Sequence, residues 1–252
     1  MSDQAAVPPV DSAPALSQWQ RVVDAFIAPS KTFTDIRRST SWWLPWLLAA
    51  IIGLGFTIAV QQQVGWNQVA ANTLRQNPKA MEQMQKLPPD QLATAQSIQS
   101  KTIQISAFSI PLLLLLTALV GSAVLWGTVN FLFGGRAKFG QMYAVWFYAT
   151  LPLTLVSLLS IITLYAGLDP GSFNLQNPVG TNIGYYLSSD APHWLSTLLS
   201  SVDVLKIWAA VLLTIGCAKV GQIKKSSAAV AVFGWWILFI LLSVGATAIT
   251  GT

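Results

Sequence analysis

The sequence is poor in charged residues, histidine and cysteine. Only 9% of its 252 residues are Asp, Glu, Lys or Arg, whereas about 25% is usual in a soluble globular domain. This composition excludes a soluble globular enzyme, and the long apolar runs exclude a disordered chain or a nucleic-acid-binding protein. The single cysteine, Cys217, excludes an intramolecular disulfide and a cysteine-rich metal site.

The few ionisable side chains avoid the apolar runs. All nine acidic residues lie outside the long charge-free segments, and the one histidine, His193, falls in a predicted loop. Ion-coupled transporters and intramembrane hydrolases normally keep ionisable groups inside their helix bundles. The sequence also contains no glycine-rich phosphate loop, no HExxH or GxSxG motif and no cluster of metal ligands. We therefore expect no enzymatic activity, no cofactor and no metal site.

Long uncharged apolar segments are what the sequence has in abundance. A helix needs about 20 mostly apolar residues to cross a membrane. Five segments meet or approach this length, which predicts an all-α fold: a polytopic membrane bundle of five transmembrane helices. The predicted spans are residues 42–60, 105–133, 141–168, 204–220 and 228–249. The fourth is short, and it crosses only if Lys206 and Lys219 extend their ammonium groups to opposite interfaces.

The positions of Lys and Arg predict the orientation. Basic residues near short loops are retained on the cytoplasmic side. With a cytoplasmic N-terminus, nine of the fourteen basic residues lie on that side. They are Arg21, Lys31, Arg37, Arg38, Arg136, Lys138, Lys219, Lys224 and Lys225. Since five spans place the termini on opposite sides, we expect the C-terminus outside.

The five spans belong to a membrane domain predicted at residues 41–252, and two regions precede it. Residues 1–15 are polar and proline-containing, which predicts a disordered leader. Residues 16–40 form a predicted cytoplasmic amphipathic segment, because its apolar residues recur on one helical face. This segment either lies in the interface of the lipid bilayer, attracted to anionic headgroups, or packs on the protein's own cytoplasmic loops. The membrane-surface candidates are Trp19, Arg21, Phe26, Phe33, Arg37 and Arg38.

Two longer segments connect spans on the outer side. Residues 61–104 predict two or three short helices that cap the outer face. Residues 169–202 contain no Lys or Arg and are rich in Asn, Gly and Tyr. This second segment either forms a compact outer loop, which we favour, or lines a polar cavity at membrane depth. Near its end, residues 193–199 predict a short interfacial helix.

A cavity between the hairpin of spans two and three and the hairpin of spans four and five would use polar and irregular positions. Asn130 can hydrogen-bond a neighbouring helix, and Pro152 interrupts the helical hydrogen bonds of the third span. The candidate ligand or cavity residues are Asn130, Pro152, Asn174, Asn177, Asn182 and Tyr185.

Several segments together resemble a known family. The run FIAPSKTF at residues 26–33, followed by WWLP at residues 42–45, is similar to the start of a bacterial Yip1-domain protein. The similarity continues through residues 135–152, the loop at 173–182 and the closing stretch 207–236, so it covers nearly everything after residue 20. It implies a five-helix integral membrane domain with a cytoplasmic N-terminus, here in the bacterial cytoplasmic membrane. It supplies no catalytic residues.

The resemblance stops short of one branch of that family. Eukaryotic members are linked to small GTPases and vesicle traffic, but this chain lacks the Asp-Leu-Tyr-Gly-Pro motif associated with them. We therefore carry no GTPase-related role over to it. We expect a non-enzymatic membrane organiser or adaptor with a protein partner. The alternative is a small transporter or lipid-handling protein with a lipid ligand in the cavity described above. The sequence leaves the oligomeric state open.

Overall fold

A computed structural model describes residues 15–188 and 191–250, so the predicted leader, apart from Ala15, lies outside the described residues. Helices dominate this part of the chain, and no strand occurs in it. The helices are α1 Gln18–Ile27, α2 Pro29–Asp35, α3 Trp43–Gln63, α4 Trp66–Arg75, α5 Pro78–Gln85, α6 Pro89–Phe108, α7 Ile110–Gly127, α8 Phe139–Ala149, α9 Thr154–Tyr165, α10 His193–Ser201, α11 Val204–Gly221 and α12 Lys225–Thr250.

Five helical segments are long and apolar enough to cross a membrane, which confirms the predicted architecture. They are Trp43–Gln63, Ile110–Leu132, Phe139–Tyr165, Val204–Gly221 and Lys225–Ile249. The doubtful fourth span is a continuous helix of 18 residues, about 27 Å long at 1.5 Å per residue. Lys206 and Lys219 lie at its opposite ends, and Lys206 Nζ donates to the carbonyl oxygen of Ser200 at 3.1 Å.

Two of the spans are irregular. The second closes with a π-helical turn at Thr128–Leu132. The third is broken by a 3₁₀ turn at Leu151–Leu153 between α8 and α9. Proline has no N–H to donate and its ring clashes with the preceding turn, so Pro152 accounts for the break that its position predicts.

The core fills the space between the two predicted hairpins. Tyr148, Met142 and Cys217 are fully buried in one apolar cluster contributed by α2, α7, α8, α11 and α12. Cys217 Sγ lies 3.6 Å from Met142 Sδ across the contact between α8 and α11. The hairpin of spans two and three therefore packs directly on the hairpin of spans four and five, with side chains where a cavity was predicted.

The bundle has two chemically different ends. At one end, Arg136 N donates to the carbonyl oxygen of Gly221 at 3.0 Å, which ties the α7–α8 connection to the end of α11. We call this the basic end, because six exposed cationic residues surround it: Arg37, Arg38, Arg136, Lys138, Lys224 and Lys225. The opposite end, the loop end, carries α4, α5, the start of α6, residues 169–186 and α10.

The loop end is more helical than its composition suggests. The segment after the first span forms three helices, as predicted, but α6 is 20 residues long and runs almost directly into the second span at Ser109. Asn72 of α4 donates through Nδ2 to the carbonyl oxygens of Pro170 and Phe173, both at 2.8 Å. The two outer segments are therefore bound to each other by a buried amide. The predicted interfacial helix is α10, His193–Ser201.

Candidate functional site

The N-terminal segment folds back on itself as a helical hairpin. Ser17 begins α1 with a reciprocal capping box, in which the Ser17 and Gln20 side chains each accept a backbone N–H. Ala28 connects α1 to α2, and Pro29 occupies the first position of α2, where no intrahelical N–H bond is lost. We call residues 18–35 the N-terminal hairpin.

The N-terminal hairpin enters the bundle from the basic end and extends along α11. The Phe33 ring packs against Gly216, where an added Cβ would lie 3.2 Å from Phe33 Cδ1. Phe26, near the turn of the hairpin, packs edge-on against Trp208, with 5.5 Å between ring centroids. Trp208 precedes Gly221 by thirteen residues, which is about 20 Å of helix. The turn of the hairpin thus lies far inside the span of α11.

A buried ion pair fastens the two helices of this hairpin. Arg21 Nε lies 2.7 Å from Asp35 Oδ2, and the two side chains are only 3% and 6% exposed. Arg21 Nη1 also donates to the carbonyl oxygen of Ser39 at 3.0 Å. The Thr32 hydroxyl donates to the carbonyl oxygen of Arg21 at 2.9 Å. The buried side chains of Arg21, Thr32 and Asp35 therefore all have polar partners within the N-terminal segment, as burial requires.

A further hydrogen bond joins the hairpin to the third span. The Tyr148 hydroxyl donates to Gln18 Oε1 at 2.8 Å. Tyr148 is fully buried near the centre of the third span, so this contact joins the start of α1 to the interior of the bundle. At the exit of the hairpin, Gln141 Nε2 donates to the carbonyl oxygen of Arg37 at 3.3 Å.

The segment packs on the protein itself, which is closer to the second of the two predicted alternatives, so three of the membrane-surface candidates lie elsewhere. Arg21 and Phe33 were expected at the membrane surface, but they are 2% and 0% exposed because the bundle encloses that face of the hairpin. Phe26 is half-buried against Trp208 instead of lying in the interface. The expectation that ionisable groups stay outside the bundle also fails, since the hairpin carries Asp35 into it.

The opposite face of α1 is open to the surroundings and apolar. Trp19, Val23 and Ile27 follow one another at intervals of four residues and are 61%, 53% and 75% exposed. Four-residue spacing places them on one side of the helix. We call them the α1 stripe. Of the other membrane-surface candidates, Trp19 is exposed in the stripe, and Arg37 and Arg38 are exposed at the basic end.

The amide-rich loop forms a closed hydrogen-bond network at the loop end. Asn182 Nδ2 donates to Asn177 Oδ1 at 2.7 Å, and Asn177 Nδ2 donates back to Asn182 Oδ1 at 3.2 Å. Asp203 begins α11: its Oδ1 accepts the backbone N–H groups of Leu205 and Lys206 at 2.8 and 3.1 Å. Its Oδ2 accepts from the Thr181 hydroxyl and from Asn182 Nδ2. This network makes residues 177–182 a compact loop, the alternative that the sequence favoured.

The other cavity candidates that form hydrogen bonds form them with backbone groups or through their own backbone. Asn174 Oδ1 accepts the N–H groups of Gln176 and Asn177 at 2.9 and 3.2 Å. Tyr185 N donates to Asn182 Oδ1 at 3.0 Å. Asn130 Nδ2 donates to the carbonyl oxygen of Ala137, and Asn130 Oδ1 accepts the N–H of Ala137, each at 2.9 Å. With Pro152 buried in the third span, these six residues are dispersed from one end of the bundle to the other and do not form one site.

The family match covers most of this architecture. A family model described as the Yip1 domain matches residues 23–246. The chain belongs to the Yip1 domain family. The matched Yip1 domain begins within α1 and ends within α12, so it contains the first four spans, all but the last three residues of the fifth, and most of the N-terminal hairpin. The comparisons with curated proteins and with solved structures give no match.

Proposed function

We propose that this Yip1-domain protein is a non-enzymatic membrane organiser that acts through its N-terminal hairpin. The observation that supports this proposal is the asymmetry of the hairpin: one face is enclosed by the bundle, while the apolar α1 stripe is exposed. We propose that the stripe lies within the membrane, where exposed apolar side chains are suited to contact with lipid acyl chains.

The hairpin adds bulk to one half of the membrane only. Five helices cross the whole bilayer, whereas α1 and α2 extend from the basic end and turn back at Ala28. The hairpin therefore adds cross-section to the bundle at the basic end. A protein with this added volume favours a leaflet that is curved outward. Outward curvature moves the lipids of that leaflet apart, and the hairpin fills the space between them.

The basic end supplies the second part of the proposal. Six exposed Lys and Arg residues surround the entrance of the hairpin. Each basic residue near an anionic leaflet contributes about 1 kcal/mol of attraction. We propose that this end faces the cytoplasm, as the distribution of Lys and Arg predicts, and that it gathers anionic lipids around the inserted hairpin.

Curvature sorting in vesicles tests the proposal. The fluorescently labelled protein is reconstituted into vesicles of mixed anionic and zwitterionic phospholipid that cover a range of diameters. We expect its surface density to rise as the diameter falls. The triple substitution Trp19→Ala, Val23→Ala, Ile27→Ala is expected to remove that dependence, because it truncates the α1 stripe.

A matched control separates the stripe from apolar surface in general. The substitutions Ile237→Ala, Leu238→Ala, Leu241→Ala truncate three exposed side chains of α12, which crosses both leaflets. This control is expected to sort as the natural protein does. Identical sorting by all three proteins, or none by any of them, would show that the protein does not act through the hairpin.

A further inference from the structure

A second feature lies at the loop end, away from the N-terminal hairpin. A pocket of about 410 Å³ opens between α3, α4 and α6. Ligand pockets typically measure about 300 to 1,000 Å³, so this one is large enough to hold part of a small amphiphile. The lining residues on which the argument depends are Phe56, Val60, Trp66, Thr102, Ile103 and Ser106.

The pocket has an apolar interior and a polar mouth. Val60 and Trp66 are buried at its inner wall, and Phe56 and Ile103 are half-buried beside them. The hydroxyl of Thr57, which is also buried, donates to the carbonyl oxygens of Gly53 and Ala107. At the mouth, Thr102 and Ser106 are exposed and one helical turn apart. In the part of the chain that the structure describes, their hydroxyls have no hydrogen-bond partner.

The level of the pocket indicates what can enter it. α6 runs beside the last part of the first span, where the Thr57 hydroxyl donates to the carbonyl oxygen of Ala107. Directly after α6, Ile110 at the start of α7 packs against Gly53. Phe56 precedes Gln63, the last residue of that span, by seven positions, which is about 10 Å of helix. The interior of the pocket therefore lies at the depth of the upper acyl chains, while Thr102 lies nearer the membrane surface.

We propose that this pocket binds a phospholipid of the surrounding leaflet. One acyl chain occupies the apolar interior between Phe56, Val60 and Ile103. The headgroup lies at the mouth, where the Thr102 and Ser106 hydroxyls donate to its phosphate or ester oxygens. Lys101 precedes Thr102 and is exposed, so its positive charge favours an anionic headgroup.

Photo-crosslinking from a lipid tests this site directly. The full-length protein is reconstituted into vesicles containing phosphatidylglycerol with a diazirine in its acyl chain, illuminated, digested and analysed by mass spectrometry. We expect crosslinks on the pocket walls at residues 56–66, including the buried side chains Val60 and Trp66. Crosslinks restricted to exposed membrane-facing side chains such as Ile58 would overturn the proposal.

Two isoleucines of α6 provide a matched pair of variants. Ile103 lines the pocket, whereas Ile105, two residues later, is 67% exposed and is not among the lining residues. Ile103→Trp fills the interior and is expected to lower the crosslinking of Val60 and Trp66 on the order of tenfold, since it occupies the space of the chain. Ile105→Trp adds the same bulk elsewhere and is expected to leave it unchanged. Equal crosslinking in both variants would overturn the proposal.

A second set of variants guards against misfolding and identifies the headgroup. Thr102→Val with Ser106→Ala removes two exposed hydroxyls without changing buried packing, so it is expected to weaken crosslinking while the thermal unfolding temperature stays the same. Lys101→Gln is expected to reduce crosslinking from phosphatidylglycerol and to leave that from phosphatidylcholine unchanged. If neither variant alters crosslinking from either lipid, no headgroup is recognised and the proposal fails.

Discussion

At the scale of single residues, Arg21 and Asp35 show how a charged pair is accommodated inside a membrane bundle. Each is enclosed, and Arg21 has a second acceptor in the carbonyl oxygen of Ser39. A buried pair gives little net stability relative to apolar residues, but breaking it by removing one partner is strongly destabilising because the other charge is left uncompensated. The pair therefore acts to hold the hairpin in one defined position.

This energetic pattern predicts different outcomes for single and double substitutions. Arg21→Met or Asp35→Leu alone is expected to lower the free energy of unfolding by about 3–5 kcal/mol. The double variant is expected to recover most of that loss, because no unpaired charge remains. Denaturant titration in mild detergent measures both. A double variant as unstable as the single ones would contradict this role for the pair.

The exposed pair of Glu82 and Lys86 is the control. Its atoms are also 2.7 Å apart, but the side chains are 67% and 70% exposed. Exposed pairs are screened by water and contribute little. Glu82→Gln is therefore expected to leave the denaturation midpoint unchanged.

Gly216 is a second residue on which the hairpin depends. An added Cβ would lie 2.4 Å from Val145 Cγ1 and 3.2 Å from Phe33 Cδ1, so any side chain must displace a neighbour. Gly216→Ala is expected to destabilise the protein by about 1–3 kcal/mol, the usual result of overpacking. Gly234, which has no atom within 4 Å of its built Cβ, is the matched position in α12.

The contrast between the two glycines is measurable by thermal unfolding in detergent. Gly234→Ala is expected to be neutral or stabilising by about 0.5–1 kcal/mol, since alanine is the better helix former. If Gly216→Ala raised the unfolding temperature as Gly234→Ala does, the close packing of Phe33 on α11 would be wrong.

At the scale of elements, Asp203 connects the amide-rich loop to the fourth span. It caps α11 and accepts side-chain hydrogen bonds from Thr181 and Asn182. The backbone continues the connection, because Val204 N donates to the carbonyl oxygen of Thr181 at 3.2 Å. The loop is thus ordered by the first turn of a helix that it precedes by about twenty residues.

Removing this carboxylate is expected to open the loop without unfolding the bundle. Asp203→Ala eliminates the cap, a change that costs about 1 kcal/mol, and leaves the Asn182 amide short of an acceptor. Hydrogen exchange is expected to accelerate at residues 177–186 and to stay unchanged in α8. Asp203→Asn, which retains an oxygen for the cap, is expected to give a smaller effect. Uniform acceleration throughout the bundle would contradict a local role.

At the scale of the whole molecule, the spans were predictable and the hairpin was not. Charge-free length locates four of the five spans, because a bilayer requires about 20 apolar residues of every helix that crosses it. The span at residues 204–220 follows only with the further assumption that Lys206 and Lys219 extend their ammonium groups to opposite interfaces. α1 has only ten residues and contains Arg21 and Asp24, so no rule of length or composition predicts that the hairpin packs along the spans. That packing depends on partners that lie far away in the chain, namely Tyr148, Trp208 and Gly216.

The candidate polar residues illustrate the same limit. Composition correctly predicted a compact loop around Asn177 and Asn182, since amide side chains without charge favour turns. Which groups those amides bond was not predictable, because Asp203 and Ser200 approach them only in the folded bundle. The lipid pocket was missed for a similar reason: Phe56, Trp66 and Ile103 come from three separate helices.

The proposed role of the N-terminal hairpin depends on its turn lying within the membrane. Maleimide labelling in vesicles measures this directly, since Cys217 is the only cysteine and is replaced by Ser in the background. The Ile27→Cys variant places the single cysteine at an exposed position beside the turn of the hairpin, and the Ser39→Cys variant places it at an exposed position at the exit. A water-soluble maleimide, supplied on both sides of the membrane, is expected to label Ser39→Cys rapidly and Ile27→Cys only after detergent is added. Equally rapid labelling of both in intact vesicles would place the hairpin in water and contradict the proposed role.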